Sequence, residues 1–423
     1  MIKDICRGHF TVTEIELYTA DGIRLVGTDV GDGPVALLLH AGGERRTVWA
    51  PIAHALAESG FRAIAWDQRG HGDSASDAVD ELPRFAEDVA AMLGGVNAMP
   101  VVVGASLGGL AAMLALDNAS LRGQVASLVL VDVVPDPDPQ RVRAFVAEAV
   151  PDIAVSTLVD DVLARADELR RAVSSLDMPT KLVRGGAGPL QDADASRFIE
   201  LVNHARLEVI DNAKHLVAQQ APDELAAHIA QELERPEVRL RRIRHLLERT
   251  GAAGQQHPSG ILGDHLQRVG DTLESWRAPD WVVDAGRLHA IYGTDAFLAA
   301  CGDVDRTFVR SAVGAKAEQL ISLYCRCDRA QSHSTLATRS PTIVDRSTGE
   351  RQALTGEHLR AFMELTVANE LDVLTRDAEI AARYGESLAG LFSRWTPFLS
   401  HPARIEVECL VERLHGGASS PVV

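Results

Sequence analysis

The chain has 423 residues, too many for one ordinary hydrophobic core, and its 46% apolar and 24% charged content is that of a globular protein. With 42 basic against 59 acidic side chains the formal charge is −17, which excludes the basic footprint of a nucleic-acid binder and argues against an anionic membrane surface. No apolar run has the length of a membrane span, the first residues lack a signal-peptide core, and five scattered cysteines make no disulfide framework, so a cytoplasmic protein is expected.

In chain order, residues 14–19 and 24–30 read as a β-hairpin around Asp21-Gly22. A continuous apolar run at 35–40 predicts a strand buried on both faces. Helical spacing follows at 48–59, then a strand at 62–66 and a helix at 82–93. The stretch Val101-Val102-Val103-Gly104-Ala105-Ser106-Leu107-Gly108-Gly109 predicts a strand that turns sharply into a helix over 107–116. A serine between glycines at such a junction has its hydroxyl lifted above the sheet, which is what a nucleophile requires. Further strands are expected at 127–134, 181–184 and 206–210, with a closing helix at 222–233. Strands alternating with helices imply a mostly parallel sheet, and ligands bind such sheets at the carboxyl ends of the strands.

The segments L-L-L-H-A-G-G, D-Q-R-G-H-G-D-S and V-V-V-G-A-S-L-G-G, followed by L-V-L-V-D-V-V-P and a late D-N-A-K-H-L-V, resemble the α/β-hydrolase superfamily over about residues 12–235. The expected fold class is therefore α/β: an α/β-hydrolase domain over 1–235 with a short cap at about 135–179, then a helix and linker at 236–256, then an all-α domain over 257–423. The cap is a Pro-rich lead and two helical patterns, 141–149 and 156–175.

A serine hydroxyl needs a base, and His215, just beyond the last strand, occupies the superfamily's histidine position. The resemblance implies oxyanion donors at the backbone N–H groups of Gly42 and Leu107, with Ala41 where a glycine is usual. The acid is ambiguous. The slot after the 181–184 strand holds Gly188-Pro189, leaving Asp192, which comes late, Asp132 at the end of the preceding strand, or no acid. Asp67, Arg69 and His71 form a polar cluster that reads as turn-holding, with His71 the member open to a substrate contact.

The second half is different. An Arg-rich helix at 237–250 runs into a flexible connection at 251–256, and beyond Gly260 no β-alternation is visible. Helices are expected at 263–276, 279–291, 306–314, 317–330, 356–372 and 377–392. His265 on the first and His289 on the second resemble the HD superfamily of metal-binding helical domains, although Ala290 stands where that pattern has aspartate. The resemblance implies a divalent metal (iron, manganese or zinc) held by His265, His289 and Asp328, with His257 an additional ligand; the alternative is a pair of helix histidines hydrogen-bonded in a core or an interface. The hydrolase half is expected to need no cofactor.

The expected function is a serine-nucleophile hydrolase acting on an ester, thioester or related small acyl substrate, with the helical half a candidate for dimerisation. The alternatives are a lyase, decarboxylase or cyclase on the same fold, a metal-dependent oxygenase or phosphohydrolase in the helical half, or two binding modules with Ser106 a relic.

Overall fold

The computed structural model describes residues 10–76, 81–149, 157–257, 259–294 and 304–416. Ser156, the first residue of one expected cap helix, lies outside them. The chain divides into two compact units, 1–242 and 243–423. The division falls inside the helix Pro236–Arg249 rather than before it.

The first unit is built on an eight-stranded sheet: β1 (Val12–Tyr18), β2 (Arg24–Gly31), β3 (Val35–Leu39), β4 (Arg62–Trp66), β5 (Val101–Ala105), β6 (Ser127–Val131), β7 (Thr180–Gly185) and β8 (Arg206–Ile210). Their spatial order is β1-β2-β4-β3-β5-β6-β7-β8. The pairs β1–β2 and β2–β4 are antiparallel, and every later pair is parallel. This is the α/β-hydrolase fold that the sequence led us to expect.

The central strands are apolar throughout because each feeds two cores. Leu37, Leu39, Val102, Leu128 and Leu130 pack into the cluster on one face, while Ala36, Leu38, Val103, Val129 and Val131 pack into the cluster on the other. The register pairs Leu39 with Gly104, Ala105 with Val131, and Val131 with Val183. The carboxyl ends of β3, β5, β6 and β7 therefore stand side by side, and the loops that leave them meet.

The second unit is helical, as expected, but differs in detail. Leu262–Ser275 buries Leu262, His265, Leu266, Val269 and Leu273 along one stripe. The expected helix at 279–291 is shorter, Asp280–Gly286. Residues 306–326 run as one element broken at Gly314, whose φ of 82° and ψ of 167° are not helical. Gly356–Arg376 and Ala378–Trp395 match expectation, and a further helix, His401–Gly416, was not anticipated. Nor is the half free of β-structure: Thr342–Val344 pairs with Arg351–Ala353, and Gln256–His257 with Gly260–Ile261. The expected flexible connection instead contains a 3-10 turn, Ala252–Gly254, with Ala252 wholly buried in the helical core. Short hairpins of two or three residues per strand carry too little period-2 pattern to be visible in sequence. Among the described residues no helix is long and apolar enough to cross a membrane.

Candidate active site

Ser106 sits at φ 46°, ψ −113°, a conformation costly for a residue with a side chain. The strand-to-helix turn imposes it, and the glycines around it make the turn sterically feasible. A Cβ on Gly104 would lie 2.5 Å from Gly109 Cα, one on Gly108 2.6 Å from both Leu39 Cβ and Leu39 O, and one on Gly109 2.5 Å from Val133 Cγ1. The elbow is held by Ser106 N–H donating to Val131 O at 3.3 Å and Leu110 N–H donating to Ser106 O at 3.0 Å.

Asp132 leaves β6 with its own left-handed backbone, φ 50°, and its side chain is fully buried. Its Oδ1 accepts Gly185 N–H at 3.0 Å, and its Oδ2 accepts His215 Nδ1–H at 2.8 Å. The imidazole is thus fixed in the tautomer that leaves Nε2 free to take a proton. The Phe145 ring meets the His215 ring edge-on, 4.6 Å between centroids.

Asp192, the other acid considered, does not reach the histidine. It opens the helix Asp192–Leu201, is 89% exposed, and pairs with Arg184 at 2.6 Å. The glycine run that obscured the acid has a different purpose. A Cβ on Gly185 would lie 2.3 Å from Lys214 O, one on Gly186 2.6 Å from Asp211 O, and one on Gly188 3.1 Å from Asp132 Oδ2. These glycines let the loop carrying His215 lie against β7, close enough for Asp132 to be its partner.

Ser106, His215, Gly42 and Leu107 line one cavity of about 230 Å³, walled by apolar side chains such as Leu110, Val142, Phe145, Leu158 and Val162. A second compartment of about 120 Å³ also touches Ser106 and His215 and extends past Val133, Val134 and Leu190. Arg141 lines it, but its guanidinium is held by Asp194 at 2.6 and 2.9 Å and by Pro189 O at 3.0 Å. Phe145 and Glu44, both at this site, were not identified from sequence; nothing in their local pattern marks them.

The Asp67 cluster is a structural network. Arg46 pairs with Asp67 and Asp73, and buried Arg69 with Asp88 at 2.6 Å. His71 stands apart from these pairs, between Gly43 N–H and Arg69 O.

The expected metal centre does not assemble around its third ligand. His265 and His289 do meet, Nε2 to Nε2 at 3.4 Å, but Asp328 caps the helix Arg329–Ser332 through Gln331 N–H at 3.0 Å. The carboxylate at the histidines is instead Asp372, which takes His265 Nδ1–H at 2.7 Å and both arms of Arg268 at 2.6 and 2.8 Å. Burial opposes ionisation of Asp372, yet Arg268 and His265 hold it well below the usual carboxylate range. Asn369 Oδ1 lies 3.0 Å from His265 Nε2, and the His257 ring stacks on His265 at 4.1 Å. Among the described residues no cluster of three His, Cys, Asp or Glu side chains could hold a metal ion. Ala290 supplies no donor and Asp372 is already engaged, so these residues do not fit the metal set that the resemblance implied. Asn369 and Asp372 lie about a hundred residues from His265, beyond the reach of any local motif.

Residues 34–161 match the serine aminopeptidase S33 family model, and residues 246–329 match a domain of unknown function (DUF6817). The resemblance of the helical half to the HD superfamily is therefore not supported. An epoxide hydrolase of Caballeronia sordidicola is 33% identical over 101 residues, 24% of this chain and 30% of that protein. Bifunctional epoxide hydrolase 2 of Mus musculus is 38% identical over 74 residues, 18% of this chain and 12% of that protein. The chain thus spans less than a third of the length of these curated relatives. Similar solved structures include an esterase from Exiguobacterium antarcticum (17% identity, 52% of this chain and 98% of that one, TM-score 0.45). A thioesterase domain from the curacin biosynthetic pathway is also similar (18% identity, 52% and 99%, TM-score 0.42). The family match and the fold support an α/β-hydrolase-type enzyme in the first unit.

Proposed function

We propose that the first unit is a serine hydrolase that cleaves an ester or thioester of a small, uncharged, apolar acyl group. The observation that carries this reading is the 2.8 Å contact of His215 Nδ1 with buried Asp132, in a dyad that shares a cavity with Ser106. His215 Nε2 takes the Ser106 proton as the hydroxyl attacks the carbonyl, the N–H groups of Gly42 and Leu107 hold the oxyanion, and the imidazolium returns the proton to the leaving group. Water then repeats the sequence on the acyl-serine. Two adjoining compartments with largely apolar walls, both touching Ser106 and His215, offer room for the two halves of an ester, and Arg141, tied up by Asp194, is not free to bind an acidic one.

The names of the relatives raise epoxide opening as a second reaction. The elbow residue argues against it, because a serine alkoxide opening an epoxide forms an ether, which has no carbonyl for water to attack, whereas acyl transfer leaves an ester that water hydrolyses. With an acid beside His215, the motive for a non-hydrolytic lyase, decarboxylase or cyclase also weakens.

The test is labelling by a fluorophosphonate probe in wild type, Ser106→Ala and His215→Ala. Rapid labelling of the wild type, lost in both variants, is the expected result. A folded wild-type protein that does not label overturns the reading.

A further inference from the structure

Residues 41–43 present three consecutive N–H groups beside Ser106, and two of them are already engaged. Ala41 N–H donates to Glu44 Oε2 at 3.1 Å, and Gly43 N–H donates to His71 Nε2 at 3.2 Å. Among the described residues Gly42 N–H has no partner within the chain, and Gly42 lines the cavity.

Each of these acceptors is itself anchored. His71 Nδ1–H donates to Arg69 O at 2.8 Å, which leaves Nε2 as the acceptor, and Arg69 is locked to Asp88. Glu44 Oε1 accepts Gln219 Nε2–H at 2.6 Å, and Gln219 lies four residues after His215. The carbonyl of Ala41 is held as well, by His40 Nδ1–H at 2.8 Å and Glu44 N–H at 3.1 Å, while His40 Nε2 accepts Gln68 N–H at 3.1 Å. Burial pushes His40 down to about 4, so the ring stays neutral and keeps this donor–acceptor pattern near neutral pH. A Gly-Gly segment has little conformational preference of its own, and a preorganised donor is what an oxyanion requires. The orientation must therefore come from outside the segment.

We propose that Glu44 and His71 are positioning residues for the oxyanion donor. They hold the N–H groups on either side of Gly42, so that Gly42 alone of the three presents its N–H to the reacting carbonyl, and Gln219 couples this loop to the segment that carries His215. The inference rests on the hydrolase reading above. It also absorbs His71, which the sequence left between a turn-holding role and a substrate contact. The sign at Glu44 is informative: its carboxylate supplies geometry but repels an oxyanion, so Glu44→Gln keeps an acceptor for Ala41 N–H and removes the charge.

The experiment measures kcat and KM on a neutral p-nitrophenyl ester, with affinity for a trifluoromethyl ketone that forms the tetrahedral adduct, in wild type, Glu44→Ala, Glu44→Gln, His71→Phe and His71→Gln. Hydrogen exchange of the segment 40–45 reports the clamp without reference to activity. Glu44→Ala and His71→Phe are expected to lower kcat and ketone affinity about 10- to 100-fold, with KM changed less than about twofold and faster exchange. The two glutamine variants are expected to retain most of kcat. Unchanged kcat and ketone affinity in both Glu44→Ala and His71→Phe overturn the proposal, as does a glutamine variant as impaired as its alanine or phenylalanine counterpart. If the wild type neither turns over the ester nor labels with fluorophosphonate, the hydrolase reading itself falls and takes the clamp's catalytic role with it; a wild type that labels normally, with kcat, ketone affinity and exchange unchanged in Glu44→Ala and His71→Phe, overturns the clamp alone.

Discussion

Each unit holds a histidine bonded through Nδ1 to a carboxylate: His215 to Asp132 at 2.8 Å in the first, His265 to Asp372 at 2.7 Å in the second. What differs is the other nitrogen. Around His215 the chain opens into an apolar cavity that contains Ser106, whereas His265 Nε2 meets Asn369 and His289 inside a packed core. Among the described residues the Asp132 carboxylate accepts a backbone N–H and its histidine alone, while Asp372 is shared with Arg268. The lesson is that a His–carboxylate pair is chemically neutral information. It becomes a base when its free nitrogen faces space and a nucleophile, and a structural joint when it faces more protein.

The sharpest break between the two pairs is functional. Asp132→Asn is expected to reduce kcat about 10⁴-fold by releasing the wrong His215 tautomer, while Asp372→Asn leaves the rate of fluorophosphonate labelling within about twofold. Equal losses in both variants would erase the distinction. The reverse contrast is in stability. Asp372→Ala strips a partner from both Arg268 and His265, and denaturant unfolding should show a loss of about 3–5 kcal/mol confined to the helical unit. Hydrogen exchange of peptides from each unit assigns the loss.

Close packing behind the first pair gives a smaller effect. Gly108→Ala places a Cβ 2.6 Å from Leu39 O, a backbone atom that cannot step aside, and should cost about 1–3 kcal/mol and slow labelling as the elbow shifts. Acid separates the units further. Burial pushes His40 in the first unit to about 4, and His289 and His333 in the second to about 3 and about 4. These rings are neutral when folded and ordinary when unfolded, so their contribution is complete above pH 6.5 and is lost as the pH falls toward the folded values. Each removes up to about 1.4 kcal/mol per pH unit within that window, and the helical unit is expected to lose protection first between pH 6.5 and 4. Asp192→Asn is the smallest expected change, within about 0.5 kcal/mol and without effect on labelling, because the Asp192 carboxylate is 89% exposed and solvent screens its pairing with Arg184.

Much of this was readable in the order of residues. The strand-helix alternation, the Ser106 elbow and the position of His215 are local patterns, and a local pattern is enough where neighbours in sequence are neighbours in space. The Gly42 donor was inferred from a motif, although the two side chains that orient it, Glu44 and His71, were not connected to it. The acid could not be chosen, because Asp132 and His215 are 83 residues apart and the glycine run at 185–188 looks like an empty slot until it is seen to seat the His215 loop. The same holds in the helical unit, where His265 and His289 meet but their carboxylate comes from Asp372, 107 residues from His265, and not from Asp328. Periodicity and turn chemistry act over a few residues and are written in the sequence; which distant carboxylate reaches an imidazole, and whether the space beyond it is empty or filled, is decided only when the sheet register and the helix packing bring those residues together.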